Sequence, residues 1–514
     1  MAIINSLERR RVIPNWRDFK STIENGELQC QTNKSYKISN ADKLLKEKID
    51  DFLNSPTIGV AADLVSSAYI LDLQDDPIVD KAIKVISENQ NISSLSLKDL
   101  SEKIRPSKST NLTNDDQNLS IVPSDDEYIF LLRKRIAIWK NSLSNQPINP
   151  IGWVEISRLY SLLGQKIPSE RAMRIALALD PNNRFIIRSA VRFFIHYDMA
   201  EEAYFYLRRA ESLKFDPWLM STEIATSCIL DRRPKFIKES LSLIESKNFS
   251  DFSLTELLSS IGTLEFYEGS LKKSKELFRK SLIAPNDNSL AQIEWISKED
   301  RSFQFETQNI KIKNPQEANA IKSFEESNWN QTLYYSDRWL SDIPYSTRPV
   351  LLGSFVAETF LNDNEKAIEL CKRGLIANPN DIMLKNNLIC SYAISGKIND
   401  AVSMLEKLKP EIQDLPEDNK IVLQATMGLV LFRLGEFENG RDLYMKAYQN
   451  AKNIKNDYLK CMAILHLAKE EINARTDQID KTFEIVQKEA ANSLDNDVKE
   501  LFKKVKNNYL KLKE

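Results

Sequence analysis

Residues 153–181 read WVEISRLYSLLGQKIPSERAMRIALALDP, and the spacing inside this stretch decides the fold. Counted from Trp153, Tyr160 stands 7 residues on, Gly164 11, Ala176 23 and Pro181 28. Trp153, Ile156 and Tyr160 fall at i, i+3 and i+7, one face of a first helix. Gly164 can take the positive φ that ends that helix. Ser169, Met173 and Ala176 form the matching stripe of a second helix, and the small Ala176 lets the two approach closely. Pro181, after Asp180, stops the second helix. Such a helix pair cannot bury its apolar face alone, so further pairs must stack on it.

The pattern returns near every 34 residues. Ile187 takes the place of Trp153, and Phe194, Ala203, Leu207 and Ala210 follow in register. A degenerate copy starts near Pro217 and Trp218, and another carries Gly262, Gly269, Phe278 and Pro285. Trp329, Trp339 and Pro344 mark a further copy, and Ala367 and Pro379 close the next. Late copies are spelled by Tyr392, Gly396, Ala401 and Leu405, then by Gly428, Gly435, Phe437, Tyr444 and Ala447. Over residues 150–475 the chain resembles the tetratricopeptide repeat (TPR) family, in the manner of bacterial-type TPR adaptors. The resemblance implies an all-α fold: a right-handed α-solenoid of helix-turn-helix repeats, with a small helical N-terminal module ahead of it. The expected divisions are a module at 1–106, a flexible linker at 107–124, the solenoid at 125–490 and a C-terminal capping helix at 491–514.

Composition fits this reading and excludes others. Charged residues are 28% and apolar ones 42%, an ordinary balance for a folded chain. Only 12 glycines in 514 residues leave little room for a turn-rich β fold. Lys+Arg number 71 against 73 Asp+Glu, so no global field steers the chain to nucleic acid or an anionic surface. Five widely spaced cysteines with no C-x-x-C favour reduced core thiols and a cytoplasmic location. Ile3, Ile4 and Leu7 precede Arg9, Arg10 and Arg11, the reverse of a secretory leader. No stretch has the apolar length of a membrane span. Rich Asn, Lys and Ile usage points to an AT-rich, bacterial genome.

Before the repeats, residues 41–53, 58–73 and 77–88 read as helices, Pro77 opening the third. Residues 107–126 are Ser-, Asn-, Thr- and Asp-rich without apolar period. A helix over 125–141, with Ile129, Leu132, Ile136 and Trp139 on one face, is expected to lead into the first repeat. At the far end, Val498, Leu501, Phe502, Val505, Tyr509 and Leu512 make the stripe of a terminal helix with a basic outer side.

Catalytic constellations are missing from the sequence. The two histidines, His196 and His466, sit in different repeats, and no metal-binding, phosphate-cradling or nucleophile-elbow motif occurs. No enzymatic activity, cofactor or metal is therefore expected. In the TPR family the first helix of each repeat lines an inner groove where ligands lie. That resemblance implies inner positions at Arg158, Arg188, Arg192 and His196 in the early copies. It implies Phe360, Ile394 and Phe432 in the later ones. The three arginines would form a cationic strip for an acidic segment of a protein partner. A chaperone-type carboxylate clamp is not spelled, since Val154 and Arg158 stand where it wants Lys and Asn. Three roles stay open: an adaptor gripping a protein in its groove, a sensor or regulatory subunit of an enzyme in a signalling or defence operon, and an RNA-binding helical repeat. The charge balance argues against the last.

Overall fold

A computed structural model describes residues 10–29, 32, 40–88, 95–105, 125–307 and 310–514. The expected linker at 107–124 lies outside them. Among the described residues there is no strand, only an isolated antiparallel bridge between Thr32 and Phe249. The chain falls into two compact units, Arg10–Pro315 and Gln316–Glu514.

The N-terminal unit opens with an extended segment and the short helix α1 (Phe19–Glu24). Four helices follow: α2 (Ala41–Asn54), α3 (Ile58–Ile70), α4 (Pro77–Glu88) and α5 (Leu95–Ile104). The lead-in helix α6 (Asp125–Asn145) precedes the repeats. These are the hairpins α7 (Pro150–Leu162)/α8 (Lys166–Leu179), α9 (Arg184–His196)/α10 (Ala200–Arg209), α11 (Pro217–Ile229)/α12 (Ile237–Glu245) and α13 (Asp251–Tyr267)/α14 (Leu271–Ser281). A single further first helix, α15 (Asp287–Glu299), ends the run. The degenerate copy that starts near Pro217 and Trp218 forms the hairpin α11/α12, whose second helix is the shortest of these four.

A ladder of N-caps sets the period. Asn149, Asn183, Asp216, Ser250 and Asn286 each sit just before a first helix, 33 to 36 residues apart, and each side-chain oxygen accepts from a backbone N–H of the first turn. These caps satisfy donors that the helix itself leaves unpaired. Pro150 and Pro217 add a preset φ at the first helical position. Gly164 and Gly269 turn between helices at φ of 67° and 81°, values a side chain resists. The N-terminal helices do not stand apart from the repeats. α3 packs on α7. Lys48 pairs with Asp63 at 2.9 Å and with Asp180, the C-cap of α8, at 3.4 Å.

The C-terminal unit repeats the scheme with α16 (Gln316–Glu325)/α17 (Trp329–Asp342), α18 (Arg348–Val356)/α19 (Asn364–Ala377), α20 (Ile382–Ile394)/α21 (Ile398–Leu408), α22 (Glu417–Arg433)/α23 (Phe437–Asn453) and α24 (Asp457–Ala474)/α25 (Ile479–Ala490). α18 runs into one π-helical turn, Ala357–Leu361. Glycines set the closest helix approach. Cβ atoms built on Gly428 and Gly440 would each lie 2.9 Å from the other's carbonyl oxygen, so α22 and α23 touch backbone to backbone. The terminal helix α26 (Asn496–Lys513) packs on α24 and α25 and reaches back to α16. Its Asn496 donates to the Glu325 carbonyl at 2.6 Å, and Lys504 donates to the carbonyls of Thr359 and Phe360 at 3.0 and 3.3 Å. It is more than an outer cap, because it joins the last repeat of this unit to its first two.

Candidate partner-binding surfaces

The first helices α7, α9, α11, α13 and α15 form the inner face of the N-terminal unit, and that face is already filled. Residues 10–28 lie along it, without regular structure up to α1. Arg10 donates to Gln292 Oε1 at 2.7 Å and to Asn288 Oδ1 at 2.9 Å on α15. The side chains of Gln292 and Asn288 in turn donate to the carbonyls of Arg10 and Ile13, at 3.1 and 3.0 Å. The Arg11 guanidinium lies 4.5 Å from the Tyr267 ring centre of α13. Trp16, 1% exposed, meets Phe193 edge-on at 5.9 Å. Phe19, fully buried, meets Phe185 at 5.0 Å, and its N–H donates to Glu155 Oε1 of α7 at 2.6 Å. After α1 the chain turns at Gly26, with φ 77° and the Phe252 ring beneath it, and Arg184 donates to the Leu28 carbonyl. Backbone groups of an extended chain need partners off their own strand, and here side chains of the first helices supply several.

The arginines expected as an open strip sit under this segment. Arg188 is buried, grips Glu256 of α13 through two hydrogen bonds of 2.8 and 3.2 Å, stacks on Trp218 at 5.0 Å and stands 3.7 Å from Glu27. Arg158 faces Asp18 at 3.8 Å. Arg192 is partly exposed beside His196, whose pKa burial and the nearby Arg192 and Lys166 charges push down to about 3. So the three do not converge on one open cationic surface. Two of them face acidic residues, but those belong to the chain's own residues 18 and 27. The electrostatics match the packing. Burial works against the Asp18 carboxylate, yet Arg158 and the Ser21 donors outweigh it and hold its pKa below the ordinary value. Burial pushes Glu155 up to about 7, and raises Glu27 with help from the charge of Asp287, against Arg188 and Arg17.

In the C-terminal unit the first helices α20, α22 and α24 flank a shallow cleft whose lining is mostly buried. Ile394, Ile421, Ala425, Leu429 and Met462 give it an apolar lining, with His466 and Glu470 among its polar groups. Ile394 therefore lines a surface on the inner face. Phe360 lies outside this cleft, stacked on Trp329 with ring centres 3.9 Å apart. Phe432 is not a groove residue. It is buried inside its own hairpin, 6.1 Å from the Tyr444 ring and against Gly440, because it belongs to the stripe facing the second helix. The segment 10–28 was missed from sequence since it has no helical period. A signal existed: Val12, Ile13, Trp16 and Phe19 crowd a Pro-bearing stretch that has no polar face to hide them.

No helix among the described residues is long and apolar enough to cross a membrane, and no group of three or more His, Cys, Asp or Glu among them is arranged to hold a metal ion. No family model matches the chain, and no curated protein does. Similar solved structures include yeast Tom70, at 13% identity and TM-score 0.30, covering 92% of this chain and 97% of that one. Another is a human IFIT1 dimer with PPP-AAAA, at 12% identity and TM-score 0.29, covering 96% and 100%. A third is the P58(IPK) TPR domain, at 13% and 0.21, covering 70% and 98%. At these values the helix-pair architecture stands on the chain's own coordinates.

Proposed function

We propose that this chain is a non-enzymatic interaction scaffold, an adaptor that holds an extended protein segment against the inner helices of its C-terminal unit. One observation carries the reading: residues 10–28 lie along the inner helices of the N-terminal unit, bonded there through backbone and side chains alike. The chain's first helices thus hold a leading segment of the same chain, irregular over 10–18 and helical over 19–24. The C-terminal unit has the same kind of face, and there it leaves an apolar cleft lined with a few polar groups, the usual make-up of a specific binding site. Its occupant in this reading is a protein rather than RNA, because the lining is apolar and its charged member, Glu470, is acidic. The proposed setting is the cytoplasm. Burial raises the thiol pKa of Cys371 to about 12 and of Cys390 to about 11, so both suit inert core positions.

A photo-activatable amino acid at Ala425, which lines the cleft, tests this in the native host. Cross-links to a defined segment of a partner protein are expected there and not from Lys446, on the second helix α23. Equal labelling from both positions would refute the reading.

A further inference from the structure

A buried charge cluster fastens the leading segment to the inner helices, and it holds more acid than base. Arg17, from the segment, donates to Asp287 Oδ2 at 2.5 Å, and Asn15 donates to the same oxygen at 2.9 Å. Arg188, from α9, donates to Glu256, which also accepts from Asn286 and Asn288 at 2.9 and 3.0 Å. Arg184 pairs with Asp216 at 2.5 Å. Each of these arginines thus has a close carboxylate of its own. Glu27 is the acid left over. It is 5% exposed and reaches Arg17 and Arg188 only at 3.7 Å. All of these charged side chains are buried. A surplus carboxylate in such a place keeps its proton more readily than in water. Burial, with the charge of Asp287 behind it, raises the Glu27 pKa from 4.5 to about 7, against the pull of Arg188 and Arg17.

We propose that Glu27 is the latch of residues 10–28: while it holds its proton the segment lies closed on the inner helices, and when it loses the proton the segment opens and uncovers Arg158 and Arg188. The charge balance gives the direction. With Glu27 protonated, Arg17, Arg184 and Arg188 match Asp287, Asp216 and Glu256. With Glu27 ionised, one negative charge is held away from water without a cation of its own. Opening of the segment returns that carboxylate to water. Because the pKa is raised in the closed state, the grip is whole below about pH 4.5 and is lost as pH rises through 7. Glu155 of α7, which accepts from the Phe19 N–H, is raised as well and acts in the same direction. Asp18, facing Arg158, stays below its ordinary value despite burial, and His196 is pushed down to about 3, so neither changes charge between pH 5.5 and pH 8.5. The device belongs to the N-terminal unit and does not depend on the cleft.

Hydrogen exchange of the full chain at pH 5.5 and pH 8.5 tests the latch, read as protection factors so that the intrinsic pH dependence of exchange drops out. Glu155→Gln keeps an oxygen for the Phe19 N–H and silences the other raised acid. In it, protection over residues 10–28 should fall roughly thirtyfold between the two pH values, the ratio implied by a shift from 4.5 to about 7. With Glu27→Gln added, the segment should stay closed at both, its protection changing less than about threefold. Glu27→Gln alone gives a second reading against wild type: its fall should be the smaller by roughly that thirtyfold factor. No fall in Glu155→Gln, a fall that persists in the double variant, or equal falls in Glu27→Gln and wild type would overturn the latch. So would a segment unprotected at both pH values in the double variant, because Glu27 would then be needed as a carboxylate to hold the segment at all.

Discussion

Phe19→Ala isolates the grip of the N-terminal unit on its own leading segment. The ring is fully buried between the segment and α9, 5.0 Å from Phe185 at an interplanar angle of 71°. Removing a buried phenylalanine costs about 3–5 kcal/mol, the cavity included. The same residue's N–H bonds to Glu155, so a loosened segment also leaves that buried carboxylate without its donor. Taking 1.4 kcal/mol per decade, opening of the segment should become roughly 10² to several 10³ times more frequent. Hydrogen exchange reads this directly. Amides over residues 16–24 should lose protection by that factor, with a smaller loss on α7 and α9, while residues 316–514 keep theirs. The control is Asp18→Asn, which removes a half-exposed ion pair with Arg158 at 3.8 Å; it should cost under about 1 kcal/mol. Protection over 16–24 that stays within about threefold of wild type in Phe19→Ala would refute the claim that this segment is clamped in the inner face.

Arg188→Ala should destabilise the N-terminal unit by about 3–5 kcal/mol, because it strands the buried Glu256; a loss below about 1 kcal/mol in chemical denaturation would contradict the buried pairing. Glu155 makes stability fall as pH rises. Burial lifts its pKa from 4.5 to about 7, so its contribution is whole below about pH 4.5 and lost as pH passes 7, up to ~3 kcal/mol by pH 8. Comparing denaturation midpoints at pH 5.5 and pH 8 should show a fall in wild type and a shallower one in Glu155→Gln, and parallel falls would refute the assignment. Gly428→Ala should cost about 1–3 kcal/mol, since the added Cβ would lie 2.8 Å from Tyr444 Cδ2 and 2.9 Å from the Gly440 carbonyl; an unchanged melting temperature would show that α22 and α23 are less tightly packed.

The helix pairs were legible because their signals are local. Gly164, Gly396 and Gly435 stand at φ of 67°, 81° and 84°, as turns between periodic stripes require. The lead-in helix was legible too, and Leu132 and Ile136 are buried as its stripe predicts. Side-chain direction was harder to read. Trp153 looked like a core residue, yet it is only half-buried and its Nε1 donates to the Pro147 carbonyl at 2.7 Å. Phe432 lies within a turn of positions that do line the cleft, so periodicity alone could not say which stripe it joins. The inner face was the least legible part. Arg10 meets Gln292 across 282 residues of sequence, and no pattern within a window of a few helical turns encodes that contact. Solvated arginines and arginines under an extended segment look the same in a sequence. Only the concentration of Glu155, Arg188, Glu256, Asn288 and Gln292 on first helices hinted that something polar and buried lay against them.

Hydrogen exchange of the full chain, with and without the protein segment captured from Ala425, tests the scaffold account most directly. The account predicts new protection on α20, α22 and α24 at the cleft, with residues 10–28 and their inner face unchanged. Protection confined to the second helices α21, α23 and α25, or none at the cleft, would contradict it.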